Sequence, residues 1–348
     1  MVEAPWWRPD RYAERRPNLL VRARIVAAIR RFFDDRGFVE VETPALQVSP
    51  GLEPHLNAFE TALAEPFRDG PVTPMYLHTS PEFAMKKLLA AGEEKIFQIA
   101  RCYRNEERSP AHHPEFAMLE WYRAGAGYRD LWTDCEELLA AAAEAAGAER
   151  FERAGKSADP RARWTRIGVC EAFEEHAGVD LAAAMDDAPD PTSLIEAARS
   201  IGVRAGPGDR WEDVFFRIFL ARVEPHLGVG APTILYDYPA SMAALARLGP
   251  DRRFAERFEV FACGLELANG YGELTDPAEQ RARFEADRAL RSELRGSAYP
   301  IDEDFLAALE RGLPDCAGIA LGVDRLAMLA TGAARIEDVL WAPVVGPG

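Results

Sequence analysis

KIFQIARCYRNEERSPAHHPEFAMLEWYRA, residues 95–124, reads as two strands joined by a polar loop. A strand turns successive side chains to opposite faces. In the first arm this sets Ile96, Ala100, Cys102, Arg104 and Glu106 on one face, with Phe97, Ile99 and Tyr103 on the other. In the second arm Phe116, Met118, Glu120 and Tyr122 share a face. One surface of the hairpin therefore carries an arginine, two glutamates and two aromatic rings. A structural arginine–glutamate pair is the plain alternative. Five polar or aromatic groups on one sheet face are costly unless a ligand satisfies them, so the pattern points to a binding surface.

Outward from the hairpin, the chain of 348 residues is long enough for one large domain or two ordinary ones. No apolar run is long enough to span a bilayer, and the start, MVEAPWWRPDRYAERRPN, is charged and broken by proline, unlike a signal peptide. The five cysteines, Cys102, Cys135, Cys170, Cys263 and Cys316, form no C-x-x-C pair. Reduced thiols in a cytoplasmic protein are expected, and zinc is not. A formal net charge of −16 counts against a polyanionic partner, because gripping phosphates needs an excess of lysine and arginine. A small molecule or a basic protein fits better.

Residues 1–20 read as an extended arm. Val21, Ile25, Ile29, Phe32 and Phe33 follow helical spacing up to Gly37, and FVEVET at 38–43 alternates like a strand that ends at Pro44. Residues 49–65 read as loop and then weak strand, and 75–79 as a short strand. Ser80-Pro81-Glu82 opens a helix to about Leu89 with Ser80 as its cap. After the hairpin, a helix is expected over 129–146 with Leu131, Leu138 and Leu139 inward, closed by Gly147. Residues 148–210 carry no recognisable chemistry, apart from a capping box of Ser193 and Glu196 that starts a helix to about Ile201. A further helix spans 211–224, with Val214, Phe215, Ile218 and Phe219 on one face. The region at about 148–230 reads as a mostly helical insertion in a single domain covering 1–348. The last third returns to strands at 233–238 and 257–269. Asp276 and Glu279 then cap a helix to about Leu294, and GIALG at 318–322 runs as a strand into a helix that starts Val323-Asp324-Arg325. Arg325 thus sits in the first turn of a helix, a place suited to an anion, and does not face Asp324.

No Walker A loop and no dinucleotide fingerprint occurs. What remains is Arg104 on a strand and Arg325 at a helix start, with acids at Glu106, Glu259 and Glu266. Two arginines to clamp a polyphosphate and two carboxylates to hold magnesium make an ATP site. Glu259 and Glu266 are seven apart and point to opposite faces of a regular strand. A bulge near Gly264 is expected to bring them together.

These three elements resemble the three motifs of class II aminoacyl-tRNA synthetases. The helix, strand and Pro44 correspond to motif 1, Tyr103-Arg104-Asn105-Glu106 with Phe116 to motif 2, and Gly322-Val323-Asp324-Arg325 to motif 3. The match is strongest to lysyl-tRNA synthetases and covers about 18–343. The family's anticodon-binding domain is not expected here, since only some 20 residues precede the first helix. TSPEFAMKKLL, RNEE, HHPEFAMLEWYR and ELANGYGELTD resemble the stand-alone ligases of this family, which attach β-lysine to a lysine side chain of elongation factor P. The resemblance implies an α/β fold in the α+β sense, an antiparallel sheet flanked by helices, and a homodimer built on motif 1. It implies ATP binding by Arg104, Asn105, Glu106, His113, Phe116, Glu266, Leu267, Gly322 and Arg325. Arg104 would take the α-phosphate, Arg325 the γ-phosphate end, Glu106 and His113 the adenine end, and Phe116 would stack on the base. Glu259 and Glu266 would hold Mg2+. Ser80, Pro81, Glu82, Glu120, Tyr122, Asn269, Glu273 and Ala320 would line the amino-acid pocket, Ala320 standing where lysyl-tRNA synthetases have glycine. Several carboxylates in one pocket demand a dicationic guest, as a diamino acid is. The implied partners are elongation factor P, ATP and β-lysine, and not tRNA. The alternatives are a truncated lysyl-tRNA synthetase, a non-catalytic paralogue, which would be expected to lose an arginine or a magnesium acid, and a scaffold protein, which leaves the polar groups unexplained.

Overall fold

A computed structural model describes residues 5–64, 72–185 and 190–345. Parts of three expectations, at 1–4, at 65 and at 186–189, lie outside the described residues. The chain divides into two units, Met1–Ala126 with Thr275–Gly348, and Gly127–Leu274.

In the first unit, strands run side by side in the order Val39–Glu40, Lys95–Tyr103, Glu115–Ala124 and Cys316–Gly322. The first pairing is parallel and the next two antiparallel. The hairpin register sets Gln98 opposite Glu120, Ala100 opposite Met118 and Cys102 opposite Phe116, the shared face expected from the period of two. From the other side of the hairpin strands, Phe97 and Trp121 pack on Phe33 of the helix Pro9–Asp34, ring centroids 4.7 and 5.3 Å apart. That side is closed by apolar burial, and the Glu120 side is left for chemistry. A buried ion pair fastens the helix Val323–Thr331 beneath it. Asp324 accepts from Arg22 at 2.8 Å and from the Ala117 backbone N–H at 2.7 Å. A second layer comes from the helices Glu82–Ala91, Pro277–Arg295 and Glu303–Gly312, where Phe83 stacks on Phe305 at 4.6 Å.

In the second unit, the strand order is Leu265–Gly272, Phe254–Ala262, Thr233–Pro239 and Thr165–Gly168. The first two pairings are antiparallel and the last parallel. Trp132 of the helix Asp130–Ala146 packs on Tyr236 at 5.1 Å. The helices Val169–Ala177, Pro191–Ser200 and Trp211–Ile218 close over a core in which Phe173 stacks on Phe215 at 4.7 Å. Strands antiparallel at their centre with parallel additions, flanked by helices, bear out the expected α/β class.

Several expectations need correction. Residues 9–20 are not an extended arm but the first half of the helix Pro9–Asp34. Pro9 opens that helix, where its missing N–H costs nothing. Pro17 is carried inside it, while Arg15 of the same stretch donates to the Glu337 and Leu340 carbonyls. Two prolines among charges looked like a broken helix, and packing overrides them. Residues 257–269 are not one strand but two, Phe254–Ala262 and Leu265–Gly272. Cys263 and Gly264 both take left-handed conformations, φ 55° and 66°, the geometry of a two-residue hairpin turn. The cysteine in the first turn position hid that signal. Asp190, not Ser193, caps Pro191–Ser200, accepting from Thr192 N–H at 3.0 Å. Ser80 lies one residue ahead of the N-cap of Glu82–Ala91, although its Oγ does accept from Glu82 N–H at 3.1 Å. The helix from Trp211 passes at Phe219–Val223 into a π turn. The hairpin Phe151–Arg153 with Lys156–Ala158 and the helices Val169–Ala177 and Glu303–Gly312 have no counterpart in the sequence reading.

Candidate active site

Glu120 is the centre of the polar cluster on the first unit. It is 1% exposed, and both its oxygens are engaged. Ser80 Oγ donates to Oε1 at 2.5 Å and Tyr122 OH to Oε2 at 3.0 Å. Burial, and then repulsion from Glu82, push the Glu120 carboxyl up to about 8 despite those donors. Beside it Glu82 accepts from Lys86 Nζ at 2.5 Å, and Lys86 is itself 1% exposed. The sequence reading missed Lys86, although its i,i+4 spacing from Glu82 was a usable signal. Pro81, the N-cap of that helix, is buried between these polar groups. Ala320 lies opposite Glu120 on the neighbouring strand and packs with Phe116 on the small cluster of Ala100, Cys102 and Met118.

Arg104 follows the first hairpin strand, its guanidinium carbon 5.2 Å from the Phe116 ring centroid. Its Nε is buried without a hydrogen-bond partner, as suits a cation awaiting an anion. Asn105 and Glu106 lie beyond the strand rather than on its face. Glu106 takes a left-handed φ of 65°, with Asn105 Oδ1 accepting from its N–H at 2.9 Å and Asn57 Nδ2 donating to its Oε2 at 2.8 Å. Its carboxylate is therefore exposed but oriented. Arg325 stands in the first turn of its helix as expected, 2.8 Å from His112 Nε2. Gly322 precedes it, where a Cβ would lie 3.5 Å from the Arg325 side chain. His113 has both ring nitrogens on backbone, Nδ1 2.6 Å from the Glu115 carbonyl and Nε2 accepting from Val344 N–H at 3.1 Å. It holds the loop in shape.

The second unit carries a second cluster, on the hairpin of Phe254–Ala262 and Leu265–Gly272. Glu259 lies opposite Asn269, and Phe261 opposite Glu266, with a register shift between Val260 and Phe261. Leu267, buried, is the extra residue of that bulge. The shift turns Glu266 to the face of Glu259 and Asn269, where an unbulged strand would turn it away. The expected convergence is present, made by a turn and a bulge at Leu267 rather than by a bulge at Gly264. Arg257 holds Glu259 Oε1 at 2.7 Å, and burial and then Glu266 push the Glu259 carboxyl up to about 7. Asn269 Nδ2 donates to Tyr271 OH at 3.0 Å, while its Oδ1 is buried without a partner. Glu273 is 1% exposed at the end of this hairpin.

Among the described residues no group of three or more His, Cys, Asp or Glu side chains could hold a metal. Two carboxylates that repel each other on one face are nevertheless the hard oxygen donors magnesium takes, its remaining positions going to water and substrate phosphates. The donor set fits Mg2+ on those terms. All five cysteines are free thiols, and among the described residues no helix is long and apolar enough to cross a membrane.

Residues 6–345 match the model of the tRNA synthetases class II (D, K and N). The chain is 43% identical over 344 residues to the elongation factor P–(R)-β-lysine ligase of Klebsiella pneumoniae (strain 342), covering 98% of both. It is 42% identical over 347 residues to the protein of that name from Proteus mirabilis (strain HI4320), covering 99% of both. The protein of the same name from Salmonella arizonae is 42% identical over 344 residues. The chain belongs to the class II tRNA synthetase family of the D, K and N type.

Proposed function

We propose that the chain is an ATP-dependent, AMP-forming ligase that activates (R)-β-lysine and transfers it to a lysine side chain of elongation factor P. The carrying observation is the buried cluster of Glu120, Glu82, Ser80 and Tyr122. Burial pushes the Glu120 carboxyl up to about 8, and an ammonium group would draw it towards the charged form. Lys86 already pairs with Glu82, and a diamino acid brings a further cation for Glu120. The name shared by relatives at 42–43% identity across nearly the whole chain supports the same substrate and acceptor.

In the reaction, a carboxylate oxygen of the amino acid attacks the α-phosphorus of ATP, the bond to the β-phosphate breaks and pyrophosphate leaves. The acceptor amine then attacks the acyl carbon, an amide forms, and AMP and a proton depart. Arg104, with its unspent Nε, takes the charge that grows on the α-phosphate. Phe116 and Glu106 receive the base, Arg325 the far phosphates, and His113 keeps the loop between them in place. Bound Mg2+ would neutralise phosphate charge, with Glu259 and Glu266 to hold it. No protein nucleophile is required. The family match spans both units, which supports assigning both clusters to one reaction and treating 1–348 as one catalytic domain, with 148–230 inserted in it. A homodimer through motif 1 and a cytoplasmic location complete the proposal. Val39, 51% exposed on the outermost strand of the first unit, supports the former.

Amino-acid-dependent exchange of pyrophosphate into ATP tests the first half-reaction. β-Lysine should support exchange well above the level with α-lysine or with no amino acid. Equal exchange with both lysines would remove β-lysine from the proposal.

A further inference from the structure

Arg291 and Arg295 stand four apart at the end of the helix Pro277–Arg295, and a helix turns such a pair to the same side. On that side lies the chain just ahead of the strand Phe59–Leu63. Arg291 is 4% exposed, its guanidinium carbon 3.8 Å from the Tyr299 ring centroid. It donates to the Pro54 carbonyl at 3.1 Å, to the Leu56 carbonyl at 2.7 Å and to Asn57 Oδ1 at 3.0 Å. Tyr299 OH accepts from Ala58 N–H at 2.8 Å. The Asn57 backbone carbonyl in turn accepts from Asn105 N–H at 2.6 Å, one residue before Glu106. A buried arginine and a tyrosine thus fix residues 54–58, and Asn57 carries that order to the polar loop of the hairpin.

Donor chemistry decides which way the Asn57 amide points. Arginine can only donate and an ionised carboxylate can only accept, so the amide oxygen faces Arg291 and the NH2 faces Glu106. Asn57 Nδ2 donates to Glu106 Oε2 at 2.8 Å, and Arg295 reaches the same oxygen at 3.5 Å. Both donors meet Oε2, which leaves Oε1 to accept from a ligand. Such a hold matters here, because the Glu106 side chain is 63% exposed, and a loose carboxylate would lose rotamer freedom on meeting a ligand. An oriented acceptor also tells purines apart. A 6-amino purine offers it a donor, whereas a 6-oxo purine offers an oxygen that the carboxylate repels. We infer that Asn57, held by Arg291, is a positioning residue that aims Glu106 at the 6-amino group of the base and so makes the enzyme select a 6-aminopurine nucleotide. This rests on the placing of Glu106 at the adenine end, and adds the residues that make that contact selective.

Pyrophosphate exchange with β-lysine is measured with ATP and with ITP, its 6-oxo analogue, and selectivity is the ratio of the two kcat/KM values. Asn57→Asp keeps the shape and the oxygen for Arg291 but sets a second carboxylate against Glu106. The ratio of ATP to ITP should fall by roughly 10–100-fold, the scale of a hydrogen bond to a charged group, through a higher KM for ATP with kcat little changed. Asn57→Ala only removes the hold and should lower the ratio several-fold; it carries the test if Asn57→Asp does not fold. Glu106→Ala sets the benchmark. In a Glu106→Ala background, Asn57→Ala should lower the ratio no further, because a residue that acts through another adds nothing once that other is gone. An unchanged ratio in the Asn57 variants, or a full additional loss in the double variant, would overturn the inference while leaving Glu106 on the base. An unchanged ratio in Glu106→Ala would instead overturn the placing of Glu106, and the inference with it.

Discussion

Ala320→Gly should move the enzyme towards α-lysine. Ala320 sits opposite Glu120 in the strand pairing and is half-buried against Phe116, so its methyl stands beside the carboxylate assigned to the substrate. An amine on the carbon next to the carboxylate would need that space, and an amine one carbon further along would not. One methyl-sized change in a pocket is worth about 1–3 kcal/mol, or about 10–200-fold in relative kcat/KM. A glycine within a strand costs about 0.5–1 kcal/mol of stability, small against the ~5–15 kcal/mol of a typical fold. The variant should therefore stay folded, which circular dichroism will check. The assay is kcat/KM for pyrophosphate exchange with each lysine, in both proteins. The ratio of α-lysine to β-lysine should rise at least several-fold in the variant. An unchanged ratio would mean that Ala320 merely fills the core with Ala100, Cys102 and Met118, and the steric reasoning would fall.

Arg104→Ala should fold normally and lose adenylate formation by about 10²–10³, the scale for one transition-state charge partner; near-normal exchange would refute its role. Asp324→Ala should destabilise the first unit by about 3–5 kcal/mol in urea unfolding, because Arg22 is then left buried without its carboxylate; a loss below 1 kcal/mol would show that the pair is not holding the helix. For Glu120, a carboxyl raised from 4.5 to about 8 contributes stability that is complete below pH 4.5 and is lost as pH rises through 8. Glu259 and Asp287, each raised to about 7, push the same way. The ligand-free protein should therefore melt lower at pH 9 than at pH 6, and Glu120→Gln should shrink that difference. An identical pH slope in the two proteins would contradict the assignment.

The motif hairpin was legible because both its arms alternate and its faces differ in kind, so Arg104, Phe116, Glu120 and Tyr122 could be placed from period alone. Arg325 was legible from GIALG running into a helix. What escaped depended on conformation or on distant partners. The turn at Cys263–Gly264 needs a positive φ at a cysteine, which no residue preference announces. The bulge at Leu267 is visible only in the pairing of two strands. His113 looked available as a ligand, since nothing local shows that Val344, far along the chain, takes its second nitrogen. The helix through Pro17 is a case of tertiary packing outweighing a local breaker.

Transfer of labelled β-lysine bears most directly on the central proposal. The protein is incubated with ATP, Mg2+, labelled (R)-β-lysine and either elongation factor P or bulk tRNA, and the label is located by intact-protein mass spectrometry and acid precipitation. The account predicts an elongation factor P heavier by one β-lysyl group on a lysine side chain, with negligible label on tRNA. The excess of 57 acidic over 41 basic residues already disfavours the nucleic acid. Saturable charging of tRNA with α-lysine, and no mass change on elongation factor P, would contradict it.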